Sequence, residues 1–172
     1  FNVGKLNRSN VEYARHMEVL AEIDGMTGLY NKSKYLSILK NEYDEITQVS
    51  VIFWDINNLK VINDTNGHEE GDLLIRTVAT NILNLANETK KAFRVGGDEF
   101  IMILKDADEA ETLKTIDLWK KNIDSIKDEY SFEISASIGY AFGHGKDLQE
   151  LIKQADENMY IDKKQYHESV KN

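Results

Sequence analysis

The sequence predicts an α/β (α+β) domain with a central, mostly antiparallel sheet flanked by helices. Val49–Trp54 is a short, nearly all-apolar run between polar residues, as expected of a strand buried on both faces. Ala92, Phe93 and Val95 precede Gly96-Gly97, and Phe100–Leu104 follow, so this stretch reads as a hairpin and makes the sheet at least partly antiparallel. The segments around these strands carry apolar residues at helical spacing, enough to cover a sheet.

In chain order, a helix is expected over roughly Val11–Glu22, where Val11, Ala14, Met17, Val19 and Leu20 are loosely helical in spacing. It reads either as a packing helix or as the end of a signalling helix from an upstream domain. Residues 1–21 are therefore an N-terminal linker or signalling helix, and 22–172 a single domain. Asn58–Asn66 is a short helix ended by Asn66-Gly67. Glu69–Ala86 is longer, with Leu74, Val78, Ile82 and Leu85 on one stripe. Asp108–Glu111 opens the next helix with capping-box-like spacing, and Leu113, Ile116, Trp119, Ile123 and Ile126 form its core face. Phe132, Ile134, Ala136, Ile138 and Tyr140 alternate with polar or small residues, which predicts a half-exposed strand. Asp147–Glu150 caps the last helix in the same way, above a buried face of Leu148, Leu151, Ile152, Ala155 and Met159.

With 172 residues and 41% hydrophobic content, the chain suits one domain with a real core. It has no cysteine, which excludes a disulfide framework and thiolate chemistry and fits a reducing cytosol. Proline is absent, and no linker, repeat or low-complexity tract interrupts the pattern. The apolar runs are too short to span a bilayer and no signal peptide is visible, so a cytoplasmic domain without membrane contact is expected. A first residue of Phe1 rather than Met suggests a fragment of something longer, with the sensory domain upstream. A formal charge of −9 argues against a nucleic-acid partner held by a basic surface. An anionic ligand would need a local device: a metal, a helix N-terminus, or a few placed cations.

The Gly-Gly turn carries adjacent carboxylates, Asp98 and Glu99, which repel each other and call for a positive partner such as a divalent metal. Asp55 follows the buried strand and leads into a helix, the place where a ligand crevice opens in such sheets. If that strand lies beside the hairpin, Asp55, Asp98 and Glu99 converge and can hold one or two Mg²⁺ ions, the arrangement of nucleotidyl-transfer sites. Asn58, Leu59 and Lys60 begin the helix after Asp55, where free N–H groups and the dipole favour a phosphate. Taken alone, Lys60 would read as a surface residue.

The ordered blocks resemble the GGDEF family, the diguanylate cyclases. Gly96-Gly97-Asp98-Glu99-Phe100 is the family signature. Asp24–Asn31 resembles its D-x-L-T-G-L-x-N opening, Asp55–Asp64 its D-x-D-x-F-K-x-x-N-D block, and Gly67–Asp72 its G-H-x-x-G-D block. Ser137–Gly139 and Ala155–Tyr160 resemble later blocks, so the likeness runs from about Asp24 to Lys163. It implies a fold similar to adenylyl cyclase and polymerase palm domains. It also implies condensation of two GTP molecules into cyclic di-GMP with release of two pyrophosphates, in bacterial second-messenger signalling. Each domain would hold one GTP, so a homodimer is needed for turnover.

The resemblance further implies that Asp55, Asp98 and the Ile56 carbonyl hold Mg²⁺ or Mn²⁺. Glu99 would assist at the metal or at the attacking hydroxyl. Asn63 and Asp72 would read guanine, since a carboxylate accepts from N1–H and the 2-amino group and an amide serves the remaining edge. Lys60 and Lys163 would contact phosphates, beside Asn58 and Leu59. His68 and Thr27 read as turn and packing residues. Arg94 would either steady a carboxylate or reach phosphate.

The sequence departs from the family pattern at several places. Asn57 replaces a second Asp, removing a charge near the metals, and Lys32 stands where Arg often follows Asn. His167 occupies a usual Arg position, and a neutral imidazole is a poorer phosphate ligand, so weaker GTP binding is expected. Asn87-Glu88-Thr89-Lys90 replaces the Arg-x-x-Asp product-inhibition motif, so no tight cyclic di-GMP binding is expected there. The competing reading is a catalytically silent domain that binds GTP or a partner as a regulatory module. A related cyclase acting on another nucleotide is a third.

Overall fold

The computed structural model describes residues 3–171. The outer ends of the expected segments 1–21 and 22–172, Phe1 among them, lie outside the described residues. The elements run α1 (Val3–Glu22), α2 (Lys32–Ile38), β1 (Val49–Ile56), α3 (Leu59–Asn66) and α4 (His68–Leu83). They continue with β2 (Lys90–Arg94), β3 (Glu99–Lys105), α5 (Glu109–Ile126), β4 (Ala136–Gly143) and α6 (Leu148–Lys171). The sheet has strand order β2-β3-β1-β4, and every paired neighbour is antiparallel. Tyr30 adds a parallel bridge to Phe93 at the outer side of β2.

Strand alternation divides the core in two. Ile52, Trp54, Ile56, Phe100, Met102 and Leu104 face α3, α4 and α5, where Ile62, Leu74, Val78 and Trp119 meet them. Val49, Val51, Phe53, Ile101 and Ile103 face the opposite layer, which carries Ile38, Leu151, Ala155 and Met159 of α2 and α6. All of β1 is buried, as its apolar run requires when helices cover both sides. Asp108 caps α5 by accepting from the Glu111 N–H at 2.9 Å, the expected start signal.

Three expectations are corrected. The helix expected from Val11 begins at Val3, and residues 7–21 are exposed along it. The last strand starts at Ala136 rather than Phe132, and it is not half exposed in the simple sense. Its small residues Ser137, Gly139 and Ala141 are the buried ones, because α6 lies directly on them. Ile138 and Tyr140 pack only partly on the other core. Before α6, a 3-10 turn at Gly145–Asp147 replaces the expected Asp147 cap, with His144 Nδ1 accepting from the Lys146 N–H at 3.2 Å.

Candidate active site

Antiparallel register sets Asp55 of β1 directly opposite Glu99 of β3. Paired residues share a face, and this pair shares the face of Phe53 and Ile101, beneath α6. Lys163 of α6 reaches down to it, with Nζ 3.0 Å from Asp55 Oδ2. Asp55 is only 8% exposed, and its Oδ1 is buried without a hydrogen-bond partner. Burial pushes the Asp55 carboxyl up and the Asp98 charge adds to this, while the Lys163 ammonium opposes it. Burial likewise raises Glu99, with Asp55 and Asp98 as further causes.

The turn between β2 and β3 is held from both sides. The N–H groups of Val95 and Gly96 donate to the Glu99 carbonyl at 3.0 and 3.4 Å, and Ile56 N–H donates to the Asp98 carbonyl at 3.0 Å. The β1–β3 ladder thus continues to Asp98 and ties that residue to β1. Arg94 resolves the choice that the sequence left open, because it steadies a carboxylate. Its Nη1 donates to Asp24 Oδ2 at 3.2 Å and its Nη2 to the Gly97 carbonyl at 2.8 Å. Asp24 also accepts from the Thr27 N–H and hydroxyl, at 3.0 and 2.7 Å. Burial works to raise Asp24, but the Thr27 bonds and the Arg94 charge outweigh it and hold the carboxyl below its ordinary value. Thr27 is therefore a turn residue, and His68 is exposed at the start of α4.

Beyond β1, Asn58 has left-handed backbone (φ 62°) and makes no side-chain cap for α3. Its amide instead donates to the Tyr166 hydroxyl at 2.7 Å. The first-turn N–H groups of α3 therefore have no side-chain cap, and Lys60 is exposed beside them. The Asn63 amide lies against Gly71 where α3 packs on α4, and Asp72 is the next residue of α4. Asn57 is enclosed: its amide donates to Ser135 Oγ at 2.9 Å and accepts from Ser137 Oγ at 2.8 Å. Both of its polar ends are thus occupied within the protein. His167 is exposed, its ring set edge-on to Tyr166 at 5.7 Å.

Among the described residues, no three His, Cys, Asp or Glu side chains stand close enough to enclose a metal ion by themselves. The residues nevertheless fit a hard cation that shares its shell with phosphates. Mg²⁺ is commonly held by one or two carboxylates plus substrate oxygens, and Asp55 Oδ1 is a buried, unpaired oxygen donor. A cleft of about 580 Å³ lies elsewhere, between Gly28–Tyr30, Leu83 and Lys90–Ala92. Asp55, Asp98 and Glu99 are not among its lining residues.

Sequence reasoning missed Tyr166 and the Asp24–Arg94 pair. Asp24 was visible within the opening block, but nothing local tied it to a residue so far along the chain. Tyr166 gave no signal, because its partners Asn58 and Glu133 are remote in sequence.

Residues 21–169 match the family described as "Diguanylate cyclase, GGDEF domain". The diguanylate cyclase DosC of Escherichia coli K12 is 35% identical over 151 residues, covering 83% of this chain and 33% of that protein. The diguanylate cyclase VdcA of Vibrio cholerae is 30% identical, covering 91% of this chain and 50% of that protein. The chain thus spans a third to a half of the length of these curated relatives. The solved GGDEF domain of DgcB from Caulobacter crescentus, in complex with c-di-GMP, superposes with TM-score 0.73 at 28% identity, covering 84% of this chain and 91% of that one.

Proposed function

The chain belongs to the GGDEF diguanylate cyclase family, and from that premise we propose that it condenses two GTP molecules into cyclic di-GMP. The observation that carries this reading is the orphaned, buried Asp55 oxygen on a residue paired opposite Glu99, with the uncapped start of α3 following shortly after it in the chain. In each half-reaction a ribose 3′-oxygen forms a bond to the α-phosphorus of the other GTP. The α–β phosphoanhydride bond breaks, pyrophosphate leaves, and the hydroxyl proton is lost. Two domains must face each other, each holding one nucleotide, so the active species is a homodimer.

Asp55, Asp98 and the Ile56 carbonyl are the proposed holders of Mg²⁺ or Mn²⁺. Such a cation, when bound, neutralises triphosphate charge and makes the attacking hydroxyl more acidic. Glu99 stands next to that position, assisting at the cation or accepting from the hydroxyl. The open N–H groups after Asn58, at Leu59 and Lys60, receive phosphate together with the Lys60 ammonium. Lys163 neutralises Asp55 in the ligand-free site and turns to the phosphates when a cation takes its place. Asn63 and Asp72 read guanine from the α3–α4 junction. The input signal would come from a domain attached through α1, with residues 1–21 as the connector and 22–172 as the working domain.

A second reading, a catalytically silent GTP-binding or partner-binding module, is favoured by one observation. Asn57 is a neutral amide whose nitrogen and oxygen are hydrogen-bonded to Ser135 and Ser137, so that position supplies no charge to a second cation.

The deciding experiment incubates the protein at high concentration with GTP and Mg²⁺ and follows products by chromatography. Cyclic di-GMP from the parent, and none from the Asp98→Ala/Glu99→Ala variant, is the expected result. No product from a forcibly dimerised parent that still binds GTP would favour the silent module.

A further inference from the structure

Asn58 is one of two non-glycine residues with positive φ among the described residues. A helix N-cap ordinarily sits in extended backbone and turns its side-chain oxygen onto the N–H groups of the first turn. Asn58 does neither. Its amide is drawn outward to the Tyr166 hydroxyl, 2.7 Å away, which itself donates to Glu133 Oε2 at 3.2 Å. Both hydrogen-bonding roles of the phenol are used, accepting from Asn58 and donating to Glu133.

The placement of Tyr166 follows from a row on α6. Asn158, Asp162 and Tyr166 are spaced by four and share a helix face. Asn158 Nδ2 donates to the Tyr140 carbonyl at 3.0 Å, and Asp162 Oδ2 accepts from the Ile138 N–H at 2.9 Å. Four helical residues advance about 6 Å and two strand residues about 6.8 Å. Since α6 runs opposite to β4, each step along the row therefore meets the next outward backbone group of the strand. The row outlasts the strand, and its next member lands on Glu133 and Asn58. Two bonds to β4 fix the register of α6 before it reaches the turn.

We infer that Tyr166 is a positioning residue: by holding the Asn58 amide away from α3, it keeps the first-turn N–H groups open to a nucleotide triphosphate. Released from Tyr166, Asn58 would be free to leave the left-handed region for the extended backbone of an N-cap, and its side chain would then compete for those same N–H groups, since Asn is among the best N-caps. The inference rests on the GTP reading for its ligand, but not for its geometry.

The test is a double-mutant comparison. Tyr166→Phe is made in the parent and in an Asn58→Gly background, where glycine tolerates the left-handed backbone and has no amide to fold back. Calorimetry measures a non-hydrolysable GTP analogue with Mg²⁺, and hydrogen exchange follows the segment 56–63. In the parent, Tyr166→Phe should weaken the analogue by about five- to tenfold, the scale of one hydrogen bond, and should change exchange in the segment. In the Asn58→Gly background it should do neither. Equal weakening in both backgrounds would reduce Tyr166 to a packing residue and overturn the inference, as would unchanged exchange in the parent. If the parent binds no analogue while exchange still responds to Tyr166→Phe, the nucleotide reading falls and the triphosphate is withdrawn from this turn.

Discussion

The Lys163 ammonium stands 3.0 Å from Asp55 Oδ2, so a helix that crosses the sheet brings its own cation to the acidic end of β1. Both groups are largely buried, with side-chain exposures of 25% and 11%. Breaking such a pair leaves a carboxylate in a poor solvent for charge. Lys163→Met should therefore cost the metal-free protein about 1.5–3 kcal/mol, as for a hydrogen bond to a charged group. Added Mg²⁺ should then restore more stability to the variant than it gives the parent, because the cation no longer competes with an ammonium. Denaturant titrations with chelator and with Mg²⁺ measure both effects. Equal stabilisation by Mg²⁺ in the two proteins would mean that Lys163 and a cation do not compete.

Arg94 joins Asp24 to the Gly97 carbonyl, linking the turn after α1 to the turn that carries Asp98. A lysine cannot span both contacts, having one compact ammonium where the guanidinium has a fork. Arg94→Lys and Arg94→Met should each lose about 1.5–3 kcal/mol and lower turnover, with Lys only partly better. The pH dependence has a definite sign. The folded-state pKa of Asp24 is depressed below its ordinary 3.8. Its contribution is therefore present above that value and is lost as pH falls through the lower folded one. The stability gap between parent and Arg94→Met should narrow in that acidic window and stay constant above it. A gap that persists at the lowest pH where the fold survives would count against the pair.

Glu99 behaves in the opposite way. Burial, with Asp55 and Asp98 nearby, raises its folded-state pKa above the ordinary 4.5. The ionised form is thus destabilising in the fold. That penalty is complete above the folded pKa and disappears as pH falls below the unfolded value. In metal-free protein, Glu99→Gln should melt higher than the parent near neutrality, and the difference should shrink as pH falls and vanish by about pH 3, well below the unfolded value, where the parent carboxyl is protonated in both states. The same variant should form little or no cyclic di-GMP. A lower melting temperature at neutral pH would show that Glu99 is stabilising and its surroundings are not dominated by burial.

Legibility in the sequence followed the range of the interactions concerned. The buried β1 run, the hairpin, and the Asp108 cap were readable because each depends on neighbours in the chain. The last strand was misplaced by four residues, as Phe132 and Ile134 continue its alternation and pack on the same core without pairing to β1. Periodicity reports which residues face the core, not which backbone groups find a partner. Asp55, Asp98 and Glu99 could be singled out as candidates, but the pairing that sets Asp55 opposite Glu99 depends on a strand adjacency that only register supplies. The closure of Asn57 by Ser135 and Ser137, separated by 78 and 80 positions, could not be read at all.

Two glycines separate a requirement of the fold from one of the site. At Gly139, an added Cβ would run into the Met159 amide nitrogen and the Ala155 carbonyl of α6. Those are helix backbone atoms that cannot step aside, so Gly139→Ala should push α6 off β4 and cost at least about 1–3 kcal/mol, the scale of core overpacking. At Gly71, the atom in the way is the end of the Asn63 side chain. That amide can swing to another rotamer at little cost to the fold, but it then leaves the position from which it is proposed to read guanine. Gly71→Ala should therefore melt close to the parent while raising KM for GTP several-fold and narrowing the preference for GTP over ATP. Melting curves and nucleotide competition on both variants make the comparison. If Gly71→Ala retained full guanine preference, Asn63 would be excluded as a base-reading residue, and Asp72 would have to discriminate alone.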